Sequence, residues 1–156
     1  MAAESNQSVV FLETSMELGK NRHAFIEAVP VNHDVANDAR IYFHKAINEC
    51  EGEWAQHKKL INTKERGGLR QSVPKGFPYF HVDFGLDDGF AHVIEDEAQF
   101  PRDFGKNVLG PLLGLDPTQW RKKSKTVEEW TDLDSRLSSF SARWQPFDWT
   151  IMLRSE

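Results

Sequence analysis

The chain has 156 residues, a formal net charge of −5, 39% hydrophobic residues, eleven Phe, five Trp and a single cysteine. That length suits one domain, or one domain plus part of a second, and the aromatic content is that of a folded chain rather than a disordered one. The lone Cys50 excludes an internal disulfide and fits a reducing compartment, no apolar run approaches a membrane span, residues 1–10 lack a signal-peptide pattern, and the acidic balance argues against a protein that coats nucleic acid everywhere.

Residues 1–8 are polar and expected to fray. Val9-Val10-Phe11-Leu12 reads as a buried strand, residues 14–22 as a loop, and residues 23–31 as a second strand ended by Pro30 and Asn32. Two strands and one connection predict a hairpin. Asp34 is placed as a helix N-cap. Behind it Ala39, Phe43, Ala46, Ile47, Cys50 and Trp54 repeat at helical spacing, with Lys45, Glu49 and Glu53 on the other face. From residue 58 to 76 the pattern fades around Gly67-Gly68 and Pro74, which predicts a long functional loop.

Phe80, Val82 and Phe84 alternate with Tyr79, His81 and Asp83, and Phe90, His92 and Ile94 alternate after residues 85–89. A hairpin with a five-residue loop follows. A symmetric register pairs Phe84 with Phe90, Val82 with His92 and Phe80 with Ile94, leaving one face almost wholly apolar. Pro101 is placed as the first residue of a helix carrying Phe104, Val108 and Leu112, which Gly110-Pro111 kinks or ends. Asp116-Pro117 restarts the chain, and Thr126-Val127-Glu128-Glu129 is a capping box. Trp130, Leu133, Leu137, Phe140 and Trp144 then form the apolar stripe of an amphipathic helix stopped by Pro146.

Three features carry chemistry. Lys58, Lys59, Lys64, Arg66, Arg70 and Lys75 fall within 18 residues against the single acid Glu65, and Arg121, Lys122, Lys123 and Lys125 form a second group. Such groups bind phosphate backbones, although a basic loop by itself is ordinarily a solvated one. His81, Asp83 and His92 invite a metal, but the register turns His92 to the opposite face, so no metal and no cofactor is expected. His92 reads instead as a core histidine with a hydrogen-bonded ring. His44 and His57 lie too far apart for ligands at adjacent turns. Among the aromatics, helical spacing favours a core role for Trp130 and Trp144. Trp149, beyond Pro146, is freer to meet a base or a protein partner, and Trp120 and Phe147 are further aromatics that could stack on bases.

The strand His23-Ala24-Phe25-Ile26-Glu27-Ala28-Val29-Pro30 resembles the active-site strand of histidine-triad hydrolases, in which three histidines alternate onto one face. In that resemblance the middle histidine is the nucleophile, and here its place is taken by Phe25, with Glu27 in place of the third. Val9 to Thr14, this strand, the run from Ser72 to Phe84, Gly89-Phe90-Ala91-His92-Val93-Ile94-Glu95-Asp96, Phe100-Pro101-Arg102-Asp103-Phe104-Gly105 and Trp144-Gln145-Pro146-Phe147-Asp148-Trp149-Thr150 together resemble the C-terminal part of the CwfJ family of splicing factors.

That resemblance implies the tail of a histidine-triad-like region over residues 9–57 and a complete second region over residues 58–156. The earlier strands and helix of the nucleotide pocket are then missing. The hairpin of residues 9–31 is expected to find its sheet partner in the hairpin of residues 79–95. The fold class is α+β, an antiparallel sheet from two hairpins covered by three or four helices, with a partial histidine-triad-like element at the N-terminus. The function implied is a nuclear, non-catalytic factor in late spliceosomes or intron lariat turnover. It would bind RNA through Lys58, Lys59, Lys64, Arg66, Arg70, Lys75, Arg121, Lys122 and Lys123. Its partners would be spliceosomal proteins and RNA, with the lariat-debranching machinery among them, and no membrane. The rival is a nucleotide or phosphodiester hydrolase in which another chain completes the site around His23. The sequence leaves the RNA, the partner protein and the oligomeric state open.

Overall fold

The computed structural model describes residues 6–20, 23–50, 59–86, 88–118 and 132–154. In chain order these form strand β1 (Ser8–Ser15), β2 (Phe25–Val31), helix α1 (His33–Glu49), β3 (Ile61–Asn62), a single turn α2 (Leu69–Ser72), β4 (Tyr79–Phe84), β5 (Gly89–Val93), α3 (Phe104–Leu112) and α4 (Leu133–Trp144). The five strands make one antiparallel sheet in the order β2-β1-β4-β5-β3. The α+β class stands, and the N-terminal hairpin does pair with the later one: β1 lies between β2 and β4, with Leu12 opposite both Glu27 and Val82.

One face of the sheet is the core. Val10, Leu12, Val31, Phe80, Val82, Phe90 and Ile94 bury against Ala39, Phe43 and Ile47 of α1 and Phe104 and Leu109 of α3. The predicted spacing on α1 thus finds its partners, and Phe43 stacks on Phe80 at 6.0 Å between ring centroids. Phe80 also meets Phe104 edge-on at 5.0 Å. Alpha3 comes this close because it presents Gly105: a Cβ there would stand 3.0 Å from Leu12 Cδ1 and 3.1 Å from Phe80 Cε2. His92 is a core histidine, as its alternation implied. Its Nδ1 pairs with the Lys59 carbonyl at 2.7 Å and its ring stacks on Phe100 at 5.6 Å.

Several local expectations are corrected. The hairpin β4–β5 is slipped by two residues: Val82 faces Phe90 and Phe80 faces His92. The loop is tighter than five residues because the Phe84 N–H donates to the Asp88 carbonyl at 2.9 Å, while Asp83 accepts from the Leu86 N–H. Arg40 of α1 then holds the Asp88 carboxylate at 2.7 Å. A slip of two preserves every face, so the apolar side survives the error. Beta1 runs on to Ser15, into the stretch expected to be loop, and β2 starts at Phe25, leaving His23 ahead of it. Asp34 sits in the first turn of α1, whose N-cap is Asn32. Pro101 precedes α3, whose N-cap is Asp103, and Pro111 lies in its last turn as the expected stop.

The predicted long loop is structured in part. Ile61 pairs with Ala91 and Asn62 with Phe90, so β3 closes the far edge of the sheet. Thr63 then donates both its N–H and its hydroxyl to the Gly89 carbonyl, each at 3.0 Å. Ile61, Ala91 and Val93 form a second small core with Leu69 and Val73 on the face away from α1 and α3. Helix α4 exists where the stripe placed it, yet none of its residues is buried, and Trp144, expected in a core, is 37% exposed. The helical covering of the sheet therefore comes from α1 and α3 among the described residues. No helix there is long and apolar enough to cross a membrane.

Candidate nucleic-acid interface

Alternation decides what the second face of the sheet displays. Leu12 and Phe80 point into the core, so Glu13 and Ser15 of β1 and Tyr79 and His81 of β4 point the other way. Glu13 stands directly opposite His81 in the register. Its Oε1 accepts from the Tyr79 hydroxyl at 2.6 Å, and its Oε2 lies 3.6 Å from His81 Nδ1. The His81 ring, and the Tyr79 hydroxyl with it, hold the Glu13 carboxyl below the usual range against the opposing pull of burial. Burial and then the Glu13 carboxylate push the Tyr79 hydroxyl well above its ordinary value. Glu13 is thus a fixed anion, and Tyr79 a fixed donor.

Glu13 and Tyr79 of this cluster, with Ser15, line a cleft of about 830 Å³. A further wall is the segment from α2 to β4, with Leu69, Arg70, Val73, Pro74, Lys75, Gly76 and Phe77, and Leu18 completes the lining. Leu69 and Val73 anchor that wall to the second small core. The Ser72 hydroxyl ties the single turn down by donating to the Gly68 carbonyl at 2.8 Å. The next turn is closed by the Phe77 N–H on the Pro74 carbonyl at 3.3 Å, with Gly76 at φ +86° in its third position. That position favours glycine. The turn sets Lys75 at its corner and Phe77, 42% exposed, at its exit.

The predicted basic residues therefore separate. Arg70 and Lys75 line the cleft. Lys64 and Arg66 are exposed in the turns before α2 and are not part of its lining. Lys59 lies by the end of α1, its Nζ 3.4 Å from the Asn48 carbonyl. Lys58, Arg121, Lys122, Lys123 and Lys125 lie outside the described residues, as do His57, Trp54, Trp120, Trp130 and the capping box at 126–129. The strand that resembles a triad strand is largely exposed among the described residues. His23 is exposed ahead of β2, Phe25 is 53% exposed, and Glu27 makes an ion pair with Lys106 of α3 at 2.7 Å. Among the described residues no group of three or more His, Cys, Asp or Glu is placed to hold a metal.

Glu13, Tyr79, Phe77 and Leu18 are the cleft residues that sequence reasoning missed. Strand alternation was enough to put Tyr79 and His81 on one face. Glu13 joins them only through the β1–β4 pairing, which no local pattern announces.

The family model described as "Protein similar to CwfJ C-terminus 2" matches residues 53–150. A CWF19-like protein 2 homolog of Caenorhabditis elegans is 46% identical over 97% of this chain and 32% of its own length. The human CWF19-like protein 2 is 43% identical over 96% of this chain and 16% of its own length. The pre-mRNA-splicing factor cwf19 of Schizosaccharomyces pombe is 34% identical over 93% of this chain and 24% of its own length. The chain thus spans less than a third of the length of each of these curated relatives.

Proposed function

The chain belongs to the CwfJ family, and from that membership we propose that it serves pre-mRNA splicing by binding RNA and protein rather than by catalysis. The observation that carries the RNA half is the cleft, whose lining brings Arg70 and Lys75 together with Phe77 and Tyr79. Cations hold phosphate, and an accessible aromatic ring takes an unstacked base, the combination used on single-stranded RNA. Lys64 and Arg66, exposed nearby in sequence, extend the positive surface, and Lys58, Lys59, Arg121, Lys122 and Lys123 belong to the same reading. The exposed Leu137, Phe140 and Trp144 of α4 support the protein half. The name of the fission yeast relative is that of a splicing factor. Carried to this chain, it makes the nucleus the place of action and spliceosomal proteins and RNA the partners. Late spliceosomes, intron lariat turnover and the debranching machinery are the finer setting proposed. Residues 9–57 and 58–156 are proposed as segments of different ancestry that share one sheet.

The test is fluorescence anisotropy of a labelled single-stranded RNA against the chain and its Arg70→Ala/Lys75→Ala variant across a salt series. The variant is expected to bind more weakly and to lower the slope of log K against log salt by about 1.4, two phosphate contacts at ~0.7 each. Equal affinity and equal slope place the contact elsewhere. The absence of turnover is supported by Phe25 at the position of the nucleophile. Release of AMP from a nucleotide substrate, lost in His23→Ala, is the result that defeats it.

A further inference from the structure

The Glu13 carboxylate is an unusual feature for a cleft proposed to take phosphate, because it is an anion lining the same cleft as Arg70 and Lys75. The contacts that fix it are not these cations but Tyr79 and His81, on its own sheet face. Its side chain remains 15% exposed while lining the cleft. An ionised carboxylate has about four acceptor positions, two on each oxygen, and can donate nothing. Tyr79 occupies one position on Oε1, and His81 Nδ1 lies 3.6 Å from Oε2. At least one acceptor position on each oxygen is left.

That pattern asks for two adjacent N–H donors on one rigid ligand. Resting on the RNA-binding reading above, we infer that the cleft selects an unstacked guanine base, which stacks on Phe77 and donates its N1–H and N2–H to the two oxygens of Glu13. The other bases fail on their own edges. Adenine and cytosine each set a ring-nitrogen acceptor beside their amino group, against the carboxylate, and uracil flanks its single N–H with two carbonyls. The volume of about 830 Å³ lies within the range of small-molecule pockets, roughly 300–1,000 Å³, which is the size class of a nucleotide site. Arg70 and Lys75, which line the same cleft, then take the flanking phosphates. The Phe77 ring supplies stacking, which tolerates any base, so selectivity falls on Glu13.

The experiment uses the whole chain and four labelled RNA heptamers, UUUGUUU, UUUAUUU, UUUCUUU and UUUUUUU, by anisotropy at one fixed salt concentration. The heptamer with guanine is expected to bind at least about fivefold tighter than the other three, the low end of what a bidentate base contact contributes. Glu13→Gln, which replaces one acceptor by a donor, brings the four affinities within about twofold of one another. Arg70→Ala/Lys75→Ala weakens all four by a similar factor and keeps the order. Equal binding of the four heptamers by the wild-type chain overturns the inference while the RNA-binding reading stands. No binding of any heptamer overturns both. The wild-type comparison alone decides the matter if Glu13→Gln fails to fold.

Discussion

At the scale of single residues, Glu13 couples stability to pH. Its folded carboxyl titrates below the ordinary value of 4.5, so the ionised form is the one the fold favours. That contribution is fully present above about 4.5 and is lost as the pH falls through the lowered folded value. Glu13→Gln is therefore expected to cost about 1–2 kcal/mol at pH 7, where the hydrogen bond from Tyr79 and the 3.6 Å contact with His81 lose the carboxylate charge. The gap to wild type should begin to close below about pH 4.5, and urea melts at pH 7, 5 and 3 measure it. A gap that stays constant across that range means the carboxylate is not the stabilising form. The residue was legible as a strand residue and nothing more. Its neighbours Tyr79 and His81 are 66 and 68 positions away in sequence, and both separations are closed only by the β1–β4 register.

At the scale of elements, the β4–β5 hairpin depends on a glycine that faces a strand rather than a turn. A Cβ at Gly89 would lie 2.3 Å from the Val82 carbonyl oxygen and 3.0 Å from His81 Nε2. Gly89→Ala must open the hairpin, at a cost of about 3 kcal/mol, visible as a lowered urea midpoint. Helices α1 and α4 make a sharper comparison, because their apolar stripes look alike in sequence. Phe43 is fully buried and stacks on Phe80, whereas Phe140 is 56% exposed. Phe43→Ala should cost about 3–5 kcal/mol, and Phe140→Ala should stay within about 0.5 kcal/mol in the isolated chain. Thermal or urea unfolding of the two variants separates them. A large loss from Phe140→Ala would give α4 a place in the core. Periodicity announces that a helix has an apolar face, and only contacts say what meets it.

At the scale of the whole molecule, the sheet ties the two sequence segments together. Beta1 is the sole bridge between β2 and β4, and α1 covers Phe80 with Phe43. A fragment of residues 58–156 loses both, so it should show no cooperative thermal transition under conditions where the full chain does. A cooperative melt of that fragment would make the second segment an independent unit. By itself the sequence determined four of the five strands, the apolar faces, α1, the existence of α4 and the central place of His92, because alternation and helical spacing are written in neighbouring residues. The family resemblance rested on the same local runs. The register of β4 on β5, the pairing of β1 with β4, the division of the basic run and the meeting of Glu13, Tyr79 and His81 were decided by the tertiary structure. These depend on which strands lie side by side and how far they slide, and a slide of two leaves every local pattern unchanged.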